Sequence, residues 1–284
     1  MTLYSSFAAR GANAWWRYAL ATPFALVLAV VLTVAIVIGL QLAHLFPNDF
    51  AQRVQDASRP LSFYTLNGMV FLVMLMAFVI AIAVVHRKSF ADVVGAWTWR
   101  GFCVGFAVWA AVLVVAAVLD FAISPSGFHI SANGQTALLA LAASGGLAVQ
   151  TFAEEFVFRG YLTQGLLLAT RRTMPTALIS GALFGALHIP NGAPQAVNAT
   201  LFGVVLAIIA IRTGGIAFTY GLHLANNLFG AFVLVSSGDA FRGSPGLFTQ
   251  NTPHLMWWDT GVGAVALLVL GWVVYRRTPG AAGN

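Results

Sequence analysis

Glu154 and Glu155, the only two glutamates of the chain, stand side by side in QTFAEEFVFRGYL, and Arg159 follows four residues after the second. The surrounding stretch is apolar. An ionised carboxylate at bilayer depth costs at least about 2.5 kcal/mol on insertion scales, so a membrane segment that carries two reserves a polar site. At about 100° per residue, Glu155 and Arg159 share a helix face with the acid on the N-terminal side, the better order for an ion pair. Glu154 points away from that face. The spacing predicts a structural Glu155 held with the guanidinium, and a Glu154 left free to take and return a proton as a general base does.

Two further polar groups follow. His188 lies in GALFGALHIP, four residues after Phe184 and two before Pro190. His223 and Asn227 in YGLHLANNLFG are four apart and share a helix face, while Asn226 is rotated off it. Rising about 1.5 Å per residue, three helices bring Glu154, His188 and His223 to similar depths of roughly 15–25 Å. A carboxylate, two imidazoles and a carboxamide make a catalytic set. Each member alone has a plainer reading, since intramembrane imidazoles and amides also hold helices together. Their joint presence within about a hundred residues favours chemistry, whereas His44, His86, His129 and His254 fall near helix ends or in loops. Phe156, Phe158 and Phe184 read as packing that lines a cavity.

Composition says what must carry these groups. Hydrophobic residues make up 60% of the chain and charged ones 8%, against about 25% charged in a soluble domain. The chain reads as an integral membrane protein of a single domain, 1–284, without internal repeats, and with its functional core at 136–236. The single cysteine, Cys103, excludes an internal disulfide and a thiolate metal centre. A net charge of +6 is too thinly spread for nucleic-acid binding. About 20 apolar residues cross a bilayer, and charge-poor runs predict an all-α, polytopic bundle of about eight spans: 18–46, 65–86, 101–123, 136–170, 174–190, 195–212, 214–236 and 256–275. With both termini cytoplasmic, Arg10, Arg17, Arg87, Lys88, Arg100, Arg171, Arg172, Arg212, Arg276 and Arg277 fall inside, and only Arg53, Arg59 and Arg242 outside, as the positive-inside rule asks. The loops Pro47–Pro60 and Ser236–Pro253 become extracytoplasmic caps. Asp120 and Asp259, at span edges, read as solvated at the interface, and Trp15, Trp16, Trp257 and Trp258 as interface anchors.

Glu154-Glu155-x-x-x-Arg159, Phe184-x-x-x-His188 and His223-x-x-x-Asn227, in that order, resemble the three-motif signature of the CAAX-prenyl-protease and bacteriocin-processing (Abi) family of intramembrane proteases. The resemblance covers about 136–236 and departs from the pattern nowhere. It implies peptide-bond hydrolysis inside a helical bundle, on membrane-associated or C-terminal, CAAX-like peptides. Glu154 would be the base, aided by His188; His223 and Asn227 would stabilise the oxyanion; Glu155 and Arg159 would support the site. The cofactor is none or a divalent metal such as zinc, held by Glu154, His188 and His223 if present; H-E-x-x-H is absent, and metal-free chemistry is the preferred expectation. The partners are a peptide or membrane-protein substrate and the lipid bilayer. Ala-, Val- and Gly-rich composition with short loops points to a bacterial inner membrane. Two other functions use the same groups, a proton-coupled transporter and a non-catalytic immunity or scaffold protein.

Overall fold

Lipid offers no partners to backbone N–H and C=O groups, so apolar runs of this length must satisfy them internally as helices. The computed structural model describes residues 2–46, 48–238, 240–252 and 256–277; Pro47, Pro253, His254 and the Gly-rich tail lie outside them. The helices are α1 (Leu3–Ala8), α2 (Trp15–Leu42), α3 (Phe50–Arg53), α4 (Pro60–His86), α5 (Phe90–Val94), α6 (Trp99–Ile123), α7 (Thr136–Glu155), α8 (Thr163–Thr170), α9 (Thr173–Ala186), α10 (Ala193–Thr213), α11 (Ala217–Leu228) and α12 (Met256–Arg277). The chain is a polytopic helical bundle. Among the described residues, six helical runs are long and apolar enough to cross a membrane: 15–42, 60–86, 99–123, 136–170, 193–213 and 256–276.

The other two expected spans are shorter than the sequence reading made them. α9 has 14 residues and ends before His188, and α11 has 12 and passes into a π-helical turn, Phe229–Val233. At 1.5 Å per residue these reach only about 20 Å. Pro190 stops the first, because it cannot continue a helix hydrogen-bond ladder. The expected single helix 136–170 is also interrupted: Phe156–Leu162 forms a π-helix between α7 and α8. Its widened turn frees carbonyls, and side chains take them. Thr163 Oγ1 donates to the Phe158 carbonyl at 2.7 Å, and Tyr4 Oη, from α1, donates to that of Arg159.

α7 packs on α4 and α11, α11 on α6, and α9 on α10. Glycines set two of these approaches. A Cβ on Gly221 of α11 would stand 2.1 Å from the Phe102 carbonyl oxygen of α6, and one on Gly185 of α9 would stand 1.8 Å from Thr200 Oγ1 of α10. Close approach here seats the helices that carry His223 and His188.

At one end of the bundle a small sheet joins the loops. β1 (Phe128–Ile130) pairs antiparallel with β3 (Phe248–Gln250), which pairs parallel with β2 (Leu234–Ser236). The expected cap 47–60 carries the short helix α3, and the cap 236–253 carries β3.

Candidate active site

The last turn of α7 presents both carboxylates. Glu155 is fully buried beside an equally buried Arg159, with Nη1 3.1 Å from Oε1. The contact is an ion pair by distance without hydrogen-bond alignment, and the three guanidinium nitrogens find no acceptor among the described residues. The guanidinium instead lies over the Phe184 ring, 4.2 Å from its centroid, a face that attracts cations. Burying a charge this deeply is tolerated only when it is paired.

Glu155 has a second partner that the sequence reading did not foresee. His223 Nδ1 lies 2.8 Å from Glu155 Oε1. The same ring's Nε2 lies 3.6 Å from Glu154 Oε2, and Glu154 Oε1 accepts from Gln150 Nε2 at 3.2 Å. The imidazole therefore bridges the two glutamates. Glu154 keeps partial access to the cavity, with 14% of its side chain exposed, while Glu155 has none.

His188 caps the end of α9. Its Nδ1 lies 2.8 Å from the Phe184 carbonyl oxygen; a carbonyl only accepts, so Nδ1 carries the proton and Nε2 is left for the cavity. Asn227 donates from Nδ2 to Thr151 Oγ1 at 3.0 Å. Its neighbour Asn226, set aside on helical-wheel grounds, donates to Asn227 Oδ1 at 3.4 Å and accepts from Trp109 Nε1 at 3.1 Å. Both asparagines line the site's cavity, from the last turn of α11. Gln150 and Thr151 were also missed. Their signal was present: a polar pair in an apolar helix, four residues before each glutamate.

A cavity of about 380 Å³ is lined by Gln150, Glu154, His188, His223, Asn226 and Asn227. Asp120 and Asp259 line it as well, correcting their reading as solvated interface residues: Asp120 is buried and Asp259 half-buried. Gln250 Nε2 lies 3.4 Å from Asp120 Oδ2. The Trp15, Trp16, Trp257 and Trp258 rings are exposed, as anchors would be.

Residues 135–229 match the family model described as Type II CAAX prenyl endopeptidase Rce1-like. The region that carries the site is similar to that family's model. This match covers all three motifs, and it agrees with the resemblance read from them. A relative in Bacillus subtilis (strain 168), the uncharacterized protein YyaK, is 28% identical over 262 residues, 87% of either chain. No solved structure matches.

Among the described residues no three His, Cys, Asp or Glu side chains are grouped to hold an ion. His223 Nδ1 is engaged by Glu155 and His188 Nδ1 by a carbonyl, which leaves the two Nε2 atoms open as ligand atoms, but they are not grouped with Glu154 as a metal set among these residues. The zinc ligand set expected as one option is therefore not seen in these residues.

Proposed function

We propose that this protein is an intramembrane endopeptidase in which Glu154 is the general base. The observation that carries the reading is one cavity that brings partly exposed Glu154 together with the imidazoles of His188 and His223 and the carboxamides of Asn226 and Asn227, within a buried frame of Glu155 and Arg159. Glu154 takes a proton from water and the oxygen attacks the scissile carbonyl carbon. Glu154 then returns the proton to the amide nitrogen as the C–N bond breaks. His188, fixed by the Phe184 carbonyl, offers Nε2 to the same water. A general base contributes about 10²–10⁴-fold.

Asn227 retains one amide hydrogen beyond its bond to Thr151, and that hydrogen meets the developing oxyanion. His223 joins it only with a proton on Nε2 as well as Nδ1, and the flanking carboxylates are where the balancing charge sits. Preorganised donors of this kind contribute about 3 kcal/mol each. The substrates in this reading are membrane-associated or C-terminal, CAAX-like peptides, and the membrane is a bacterial inner membrane.

Detergent-purified protein and a folded Glu154→Gln variant, offered a quenched fluorescent peptide library with farnesylated C-terminal tetrapeptides, test the proposal. Cleavage by the wild type that falls about 10³-fold in the variant supports it. Equal cleavage by both removes Glu154 from the chemistry. Silence from both, with a phenotype that survives Glu154→Ala, favours a scaffold.

A further inference from the structure

The two ends of the bundle differ in charge and in access to the site. At one end, Arg10 pairs with Asp92 at 2.9 Å, Lys88 Nζ donates to the Ala8 carbonyl at 2.7 Å, and Ala96 N donates to the Gly214 carbonyl at 2.9 Å. These contacts join α1, residues 87–98 and the turn 214–216 into one surface, near which most of the basic residues fall. At the other end, Ser131 N donates to the Leu247 carbonyl at 3.0 Å and Tyr64 Oη lies 2.9 Å from Ser244 Oγ, closing the sheet over the bundle. The positive-inside rule makes the first end cytoplasmic and the sheet end extracytoplasmic.

The cavity that holds Glu154 runs toward the sheet end, where Asn191, Gln195, Ser236 and Ala240 line it. A second cavity, about 590 Å³, shares Phe63, Asn191, Gly238 and Ala240 with the first. Its remaining walls include Gln55, Asp56, Ser58 and Arg242, from the loops at that end. The two cavities adjoin, and together they extend from the outer loops toward Glu154. In the opposite direction the way is filled: Tyr4, Phe156, Arg159 and Thr163 are all 0% exposed.

We infer that the site takes its substrate from the extracytoplasmic side, as an extended polypeptide segment presented at the outer surface of the membrane. The vestibule's amide, hydroxyl, carboxylate and guanidinium groups can hydrogen-bond a peptide backbone along its length, which a hydrocarbon chain cannot use. The substrate class rests on the peptidase reading above; the direction of access does not.

Thiol accessibility separates the two. In a Cys103→Ser background, which removes the only native thiol, Asn191→Cys, Asn198→Cys and Arg242→Cys mark the path, and Arg172→Cys marks the other end. A membrane-impermeant maleimide is applied to intact cells and to sealed inverted vesicles. The inference expects the three path positions to label in intact cells only, and Arg172→Cys in inverted vesicles only. Labelling of Asn198→Cys from the vesicles, from both preparations, or from neither while the denatured protein labels fully, overturns it. A protein labelled from outside that cleaves no peptide sinks the peptidase reading and leaves the path intact. An active peptidase labelled only from the cytoplasmic side does the reverse.

Discussion

His223 Nδ1 lies 2.8 Å from Glu155 Oε1, so the glutamate expected to serve only the helix also fixes the imidazole of another. One carboxylate oxygen thereby faces both the Arg159 guanidinium and the His223 ring. A hydrogen bond to one ring nitrogen sets which face the other presents, and here the other, Nε2, is turned toward Glu154. Glu155 is thus a positioning residue for the ring that the proposed reaction uses.

Removing either charge of the Glu155–Arg159 pair leaves the other buried without its counter-charge. Glu155→Gln and Arg159→Met should each lower stability by about 3–5 kcal/mol. The double variant should lose clearly less than the sum, because no uncompensated charge remains. Thermal unfolding of the four proteins in one detergent measures the coupling. Additive losses would mean that the 3.1 Å contact carries no interaction.

Much of the site was legible before the structure, because intramembrane ionisable groups are costly enough to announce themselves. Glu154, His188, His223 and Asn227 line one cavity, as their spacing implied. What the spacing hid were departures from an ideal helix. The 100° rule placed Asn226 off the site, yet the cavity is wide enough for adjacent residues of α11 to line it, and Asn226 is held there by Trp109. Asp120 and Asp259 are 139 positions apart, and nothing local signals that they meet. The short α9 and α11 counted as full spans because apolar runs record composition, while Pro190 and the π turn decide where each helix stops.

Lys88 supplies a pH signature at the end of the bundle that carries α1. Burial beneath α1, where Nζ donates to Ala8 and Gln164, pulls its pKa down from 10.5 to about 8. Between pH 8 and 10 the unfolded chain therefore binds more protons than the folded one, so stability rises with pH across that window. The gain is on the order of 2 kcal/mol at most. Unfolding midpoints measured from pH 7 to 10 should climb for the wild type and stay flatter for Lys88→Met. Parallel profiles would remove Lys88 as the cause.

Asp120 and Asp259 share one cavity, and an amide in place of one of two neighbouring carboxyl groups removes their mutual repulsion. Asp259→Asn should therefore raise the thermal midpoint by a few degrees, about 1 kcal/mol, with the Gln250–Asp120 contact retained. A lower midpoint would mean that the Asp259 charge is needed, and would assign it a partner beyond Asp120.

The most local test of the site's geometry is Gly185. His188 depends on this turn twice, through its backbone N–H to the Gly185 carbonyl at 2.9 Å and through Nδ1 to the Phe184 carbonyl at 2.8 Å. A methyl group at 185 would meet Thr200 Oγ1 at 1.8 Å and the Ala196 carbonyl oxygen at 2.9 Å, forcing the end of α9 away from α10. A displacement of about 1 Å at a reacting group can cost about 10²-fold in rate. Gly185→Ala should lower kcat on that scale while the protein remains folded in detergent. Gly145→Ala, where nothing stands within 4 Å, should leave kcat unchanged. Adding Thr200→Ala removes the nearer obstacle but not the carbonyl, so it should restore part of the loss. If Gly185→Ala is as active as the wild type, the seat of His188 on α10 is not what sets the rate.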